Sequence, residues 1–238
     1  MKLIKSLSLG LMAFAMSASV IAQTADEVIA KHIDAVGGKD NWKKVNSMKM
    51  EATITTQGMD IPITMYQVHN KAQKMEINVM GMTGYQINTS EGGWNFMPFM
   101  GQTAPEPMTA DEVAVGKENL DIQGELVDYK EKGHSVELLG KEDVDGTECH
   151  KVKLTRKSGR ATVYFIDAKT NYVIRTASKV TVNGKEVDQV INLSNYQKTP
   201  EGIVVPMTME NSGMPAPINI TKVEVNPTFD NAIFEVKK

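Results

Sequence analysis

From Met48 onward the chain alternates apolar and polar residues with a period of two, and that rhythm constrains its fold more than any other feature. Met48, Met50, Ala52 and Ile54 share one parity, while Lys49, Glu51, Thr53 and Thr55 share the other. This is the pattern of a strand with one buried and one wet face. Ile61, Ile63 and Met65 repeat it, then Met75, Ile77 and Val79, and a hairpin turn near Gln57-Gly58 joins the first two runs. Later strands follow at intervals of about a dozen residues. Asp145-Gly146, Ser158-Gly159, Asn183-Gly184, Pro200-Glu201-Gly202 and Ser212-Gly213 punctuate them. Asn183-Gly184 is the strongest of these signals, because a two-residue type I′ turn takes left-handed backbone at both positions. A slip of parity between Ile218/Ile220 and Val223/Val225 predicts a bulge that curves the sheet.

Two capping boxes mark helices. Thr24 to Glu27 opens the first, with Ile29, Ile33 and Val36 on one face and Gly37-Gly38 as its stop. Asp40 begins a short second turn carrying Trp42 and Val45. Thr109 to Glu112 opens another helix, expected to reach about Ile122 with Val113 and Leu120 on one side and Gly124 as its stop. There is no alternating strand–helix rhythm, so a parallel sheet is excluded. The expected fold is α+β: one strongly curved antiparallel sheet of about ten or eleven strands, covered by short helices. No Ser-, Gly- or Pro-rich linker divides it, so residues 23–238 are read as one domain.

The first 22 residues have a different character. Lys2 and Lys5 precede an apolar run over residues 7–16, and Val20 and Ala22 occupy the −3 and −1 places of a cleavage site. This predicts a secretory signal peptide cut after Ala22. Gln23 rather than cysteine follows, so the mature chain is expected to be soluble, unlipidated and periplasmic. With 26 Lys+Arg against 29 Asp+Glu there is no basic field for nucleic acid. A single cysteine, Cys149, excludes an internal disulfide and a cysteine-rich metal framework.

Methionine use is the unusual feature: 16 Met against 6 Phe, 6 Tyr and 2 Trp, with ten of the methionines between Met48 and Met108. A methionine has three rotatable bonds and a polarisable sulfur, and its over-use marks surfaces that adapt to varied ligands. For any single Met the commoner role is core packing, but a stripe on adjacent strands points to a ligand cavity. The segment holding Trp94, Phe96, Met97, Phe99 and Met100 leads into a loop with Pro98, Pro105 and Pro107. It reads either as a buried strand with its exit or as an apolar lid.

Catalytic signals are weak. The four histidines, His32, His69, His134 and His150, form no motif. Cys149 and His150 are adjacent on a strand and so face opposite sides. Asp143-Val144-Asp145-Gly146 lacks the later ligands of a calcium loop and is better explained as a turn. No G-x-S-x-G, H-E-x-x-H or phosphate loop occurs. The chain is therefore expected not to be an enzyme and to need no metal or cofactor.

The stretch AVGGKDNWKKVNSMKMEATI and the closing block with Tyr196, Gly202, Val205-Pro206, Ile220, Val223, Val225-Asn226 and Phe234 resemble the periplasmic outer-membrane lipoprotein-sorting (LolA-like carrier) superfamily. The resemblance implies an incomplete antiparallel β-barrel covered by helices, with an apolar interior that shields acyl chains. Carriers of that family hold the lid with an arginine on an early strand. Here no arginine precedes Arg156, which leaves Lys49, Lys71 or Lys74 in that role.

The expected function is thus carriage of an acylated lipoprotein or lipid between inner- and outer-membrane transfer partners, by a monomer. Met48, Met50, Ile54, Ile63, Met65, Met75, Ile77, Met207 and Met209 are expected to line the interior, with Trp94, Phe96, Met97 and Phe99 near its mouth. The alternative is a non-enzymatic envelope sensor or interaction module of the same fold.

Overall fold

Left-handed residue pairs turn the strands back on themselves. Gln57-Gly58 (φ 51° and 77°), Met80-Gly81 (52° and 83°) and Asp145-Gly146 (51° and 87°) each place both residues at positive φ, the geometry whose twist matches a two-residue hairpin. The first and third fall where turn chemistry predicts. The second does not, because methionine is not a turn former.

A computed structural model describes residues 23–182 and 185–236. The leader and the Asn183-Gly184 turn lie outside the described residues. Helices α1 (Ala25–Ala35) and α2 (Lys39–Trp42) come first, followed by strands β1 (Ser47–Thr56), β2 (Met59–Val68), β3 (Ala72–Val79), β4 (Met82–Thr89) and β5 (Gly93–Phe96). A 3₁₀ turn (Pro98–Met100), β6 (Glu106–Pro107) and helix α3 (Ala110–Glu118) lead to β7 (Ser135–Val144), β8 (Thr147–Thr155), β9 (Ala161–Asp167) and β10 (Val173–Val182). The chain ends with β11 (Lys185–Lys198), β12 (Val204–Asn211), β13 (Ile218–Val225) and a 3₁₀ turn (Asn231–Phe234).

The 13 strands form one sheet in the order β6-β5-β4-β3-β2-β1-β13-β12-β11-β10-β9-β8-β7. The chain enters at the centre, walks out to one edge, crosses through α3 and walks back from the other edge. The sheet is curved and does not close, with β6 and β7 at its edges. The count exceeds the expected ten or eleven because β5 and β6, of four and two residues, are too short to display alternation. β6 also holds Pro107, which an edge tolerates. The parity slip is a bulge: Glu51 pairs with Lys222 and Ala52 with Ile220, leaving Thr221 extra, its hydroxyl donating to the Glu51 carbonyl at 3.1 Å.

Both capping boxes form. The Glu27 N–H donates to Thr24 Oγ1 at 3.2 Å, and the Thr24 N–H donates to the Glu27 carboxylate at 3.0 Å. Thr109 and Glu112 do likewise. Helix α3 stops at Glu118, short of the expected Ile122. It approaches the sheet through Gly116, where a Cβ would lie 2.2 Å from Asn88 Oδ1. Leu120, just past the helix, is buried as expected, while Val113 is only half-buried.

Two apolar clusters lie on the helix-covered face. Val45, Met48, Ala52, Ile54, Ile63, Ile203, Val205, Met207 and Ile220 make one. Val28 and Ile29 of α1 with Leu126, Tyr129, Val152, Leu154, Ile166 and Val173 make the other. The opposite face is apolar in two places. Val144, Cys149 and Phe165 cluster there, and the C-terminal segment folds back so that Phe229 meets Tyr66 edge-on at 5.7 Å and Phe234 at 6.1 Å.

Candidate ligand cavity

Register places the methionine stripe. Met50 stands opposite Met65, and Met65 opposite Met75. Ile63 stands opposite Ala52 and Ile77, and Met209 opposite Ile218, which is itself opposite Ile54. With Met48 and Met207 two residues along, nine of the expected side chains share the inner face of β3-β2-β1-β13-β12. Met48, Ile54, Ile63 and Met207 are buried; Met50, Met65, Met75, Ile77 and Met209 are partly open. The Gln73 side-chain amide donates to Met65 Sδ at 3.6 Å, fixing one sulfur.

The other four divide. Trp94 pairs with Ile87 and Phe96 with Tyr85, and these pair with Lys74 and Glu76. That parity is the outer one, so Trp94 and Phe96 lie across the sheet from the stripe, with Phe96 on the Tyr85 ring at 5.5 Å. Met97 and Phe99 return to the inner side. A Cβ on Gly84, which pairs with Ile77, would lie 2.7 Å from the Phe99 ring and 2.9 Å from Met97 Sδ.

A cavity of about 210 Å³ opens between α1, α2, residues 122–127 and strands β9 to β12. Ile33, Val36, Trp42, Ile122, Leu126, Val173, Leu193 and Val205 supply apolar walls, joined by His32, Glu125, Tyr164, Thr176 and Tyr196. None of the thirteen expected side chains lines it. It sits instead beside them on the same inner face, between the two apolar clusters. Local periodicity could not reveal it, because four distant segments build it. Trp42 and Tyr196 did lie within the stretches that carry the family resemblance.

Hydrogen bonds hold its walls. The Val36 carbonyl accepts from Trp42 Nε1 at 2.9 Å and from the Val204 N–H at 2.8 Å, tying the end of α1 to α2 and β12. Tyr196 donates to the Val173 carbonyl at 2.5 Å and stacks on Tyr172 at 4.4 Å. Burial pushes the Tyr196 phenol far up, and Tyr172 adds to the effect. His32 lies 2.8 Å from the Asn171 carbonyl through Nδ1, so that nitrogen carries the hydrogen. Burial lowers its pKa, and the bond to Asn171 only partly offsets this.

Glu125 is the polar pole. Tyr164 donates to one carboxylate oxygen at 2.9 Å, and Arg156 donates through Nε at 2.7 Å and through its terminal nitrogen to the other. Burial first, then Glu125, holds the Tyr164 phenol protonated. Arg156 also reaches Glu118 at 3.3 Å, and Arg160 pairs with Glu118 too. The hairpin between β8 and β9 thereby fastens the end of α3 and the segment after it. Lys49 and Lys74 face outward, paired with Glu51 at 2.6 Å and Glu76 at 2.8 Å, and Lys71 sits in the turn between β2 and β3. The early lysines considered for the lid do not reach this segment; Arg156 does.

Cys149 is fully buried, and burial, reinforced by Asp167, pushes its thiol up to about 11. It is therefore protonated at neutral pH and no nucleophile. Among the described residues no group of three or more His, Cys, Asp or Glu converges to hold a metal, and no helix is long and apolar enough to cross a membrane.

No protein-family model matches the sequence, and no curated protein does either. Solved structures match the fold. A LolA superfamily protein from Nitrosomonas europaea superposes with a TM-score of 0.55 at 13% identity, over 90% of this chain and 98% of its own. A chain from Vibrio parahaemolyticus, assigned as an outer membrane lipoprotein-sorting protein domain, gives 0.54 at 13% identity, over 88% and 95%. The fold is LolA-like.

Proposed function

We propose that this protein is a non-enzymatic periplasmic carrier that shields the acyl chains of a lipoprotein or lipid on the inner face of its open sheet. The observation that carries the reading is the apolar cavity beneath α1 and α2, contiguous with a half-open stripe of methionine and isoleucine. Each methylene taken out of water is worth about 0.8 kcal/mol, so covering most of an acyl chain yields on the order of 10 kcal/mol. At about 210 Å³ the cavity holds a segment of chain, and the stripe beside it offers the remaining apolar length. Flexible thioether walls suit a carrier that must also release without an energy source. The fold shared with a lipoprotein-sorting domain supports the same reading, as does the leader expected over residues 1–22.

Native mass spectrometry of the protein purified from its own envelope tests it. The expected result is a species carrying acyl-chain mass, or one that takes up offered palmitate. A uniformly ligand-free protein that refuses offered chains overturns the proposal. Met65→Asp places a charge on the stripe and is expected to weaken uptake about tenfold or more; unchanged uptake removes Met65 from the binding surface.

A further inference from the structure

One end of the sheet is tipped with exposed methionines. In an antiparallel meander the turns alternate between ends, so residues 57–58, 80–81, 97–105 and 212–217 all fall at the same end. Met59 (44% exposed), Met80 (81%), Met82 (43%) and Met100 (77%) project there, whereas Met214 in the fourth turn is half-buried against the inner apolar cluster. Those four turns contain no Lys, Arg, Asp or Glu. The β8–β9 turn at the same end, residues 156–160, holds Arg156, Lys157 and Arg160, but it lies on the far side of β10 and β11, and its two arginines are paired with Glu125 and Glu118. The uncharged rim is therefore the half running from β12 to β6. The turns at the far end, 69–71, 90–92, 145–146, 168–171 and 199–203, each contain one charged residue.

Folding does not account for these side chains. Met80 holds φ 52°, a backbone that disfavours side chains with a Cβ, yet it packs on almost nothing. Met59 and Met82 have inner-face parity, in line with Ile61 and with Gly84. The apolar stripe therefore runs unbroken from the buried Met48 out to this rim.

We infer that the rim is a docking surface for a lipid bilayer, entered by the methionine tips. On a molecule of net charge −3, this apolar half of the rim, with no ionised side chain in its four turns, meets a membrane surface without repelling it or stranding charges in it. The absence of Lys and Arg from these turns assigns the contact to apolar insertion, not to anionic headgroups. Protein interfaces centre on aromatic and arginine anchors; here the one aromatic side chain in these turns, Phe99, is tucked against Gly84. Docking in this pose sets the open end of the stripe on the lipid, so a chain moves between bilayer and carrier without crossing water; that last step rests on the carrier reading above.

Co-sedimentation of the purified protein with phosphatidylcholine vesicles tests the surface. The expected result is partitioning to the vesicles that is equal at low and high salt. Met80→Asp and Met100→Asp each lower it about tenfold, the worth of one apolar side chain withdrawn from lipid, with the melting temperature and the uptake of palmitate in the absence of vesicles both unchanged. Wild-type protein that docks but takes up no palmitate sinks the carrier reading and leaves the docking surface standing. Protein that stays in the supernatant, aspartate variants that pellet like wild type, or binding confined to phosphatidylglycerol vesicles and lost in high salt overturns the docking surface. Capture of a protein partner through the tips, with no vesicle binding, overturns it as well.

Discussion

Cys149 shows how burial decides chemistry at the level of a single side chain. Packed against Val144 and Phe165 with its thiol pushed up to about 11, it is expected to resist iodoacetamide in the native protein and to react fully in denaturant; labelling of the native protein at the rate of a free thiol would contradict this burial. Histidine gives a pH signature. Burial lowers the pKa of His32, His69 and His150, so below about 6.5 the unfolded chain binds protons that the folded chain refuses. Stability therefore falls as pH drops through that value toward the lowered folded pKa values. His32→Asn should flatten the slope between neutrality and mild acid, while leaving the later loss below about 3.8 in place, where Asp26, Asp128 and Asp167 have depressed pKa values. Urea denaturation across pH measures both windows. Parity alone made the inner placement of Met48 through Met209 legible. It also contained the outward placement of Trp94 and Phe96, but only through pairing with Tyr85 and Ile87, which no single strand displays.

Elements meet where glycine lets them. Gly37 holds φ 111°, and a Cβ there would lie 2.3 Å from the Gly202 carbonyl oxygen, so α1 and the turn between β11 and β12 touch backbone to backbone. Gly37→Ala combines a left-handed penalty with a clash against main chain and should cost about 2–4 kcal/mol; thermal unfolding within a degree of wild type would show that the contact yields. The helix stop at Gly37-Gly38 was readable from composition, yet its second purpose, the close approach to Gly202, was not. The shortened α3 follows the same logic. A capping box announces where a helix starts, whereas Gly116 against Asn88 depends on a partner strand more than twenty residues away.

For the molecule as a whole, the crossover from one sheet edge to the other is fastened by a few charges. Arg156 and Arg160 hold Glu118 and Glu125, and the segment so fastened walls the cavity. Breaking a largely buried pair leaves a charge unpaired, so Arg156→Ala should speed amide exchange in residues 118–127 about tenfold, with the β1–β2 hairpin unaffected. Uniform acceleration across the protein would instead mark a global loss of stability. This cavity was the least legible feature in the sequence, because its walls come from α1, α2, residues 122–127 and β9 to β12, segments whose meeting depends on the sheet being assembled first.

That assembly has a seam. β1, the first strand made, finds one neighbour in β2 at once, but its other neighbour is β13, the last. Pairing Met48 with Val225 and Ile54 with Ile218 joins the two ends of the chain, and contacts so distant form late. A polypeptide emerging amino end first therefore builds two separate meanders, β1 to β6 and β7 to β13, and holds one edge of β1 with its backbone N–H and C=O groups unpaired until synthesis is nearly over. The two halves are natural candidates for expression as complementary fragments, and the interval before they meet is when this chain is most exposed to aggregation.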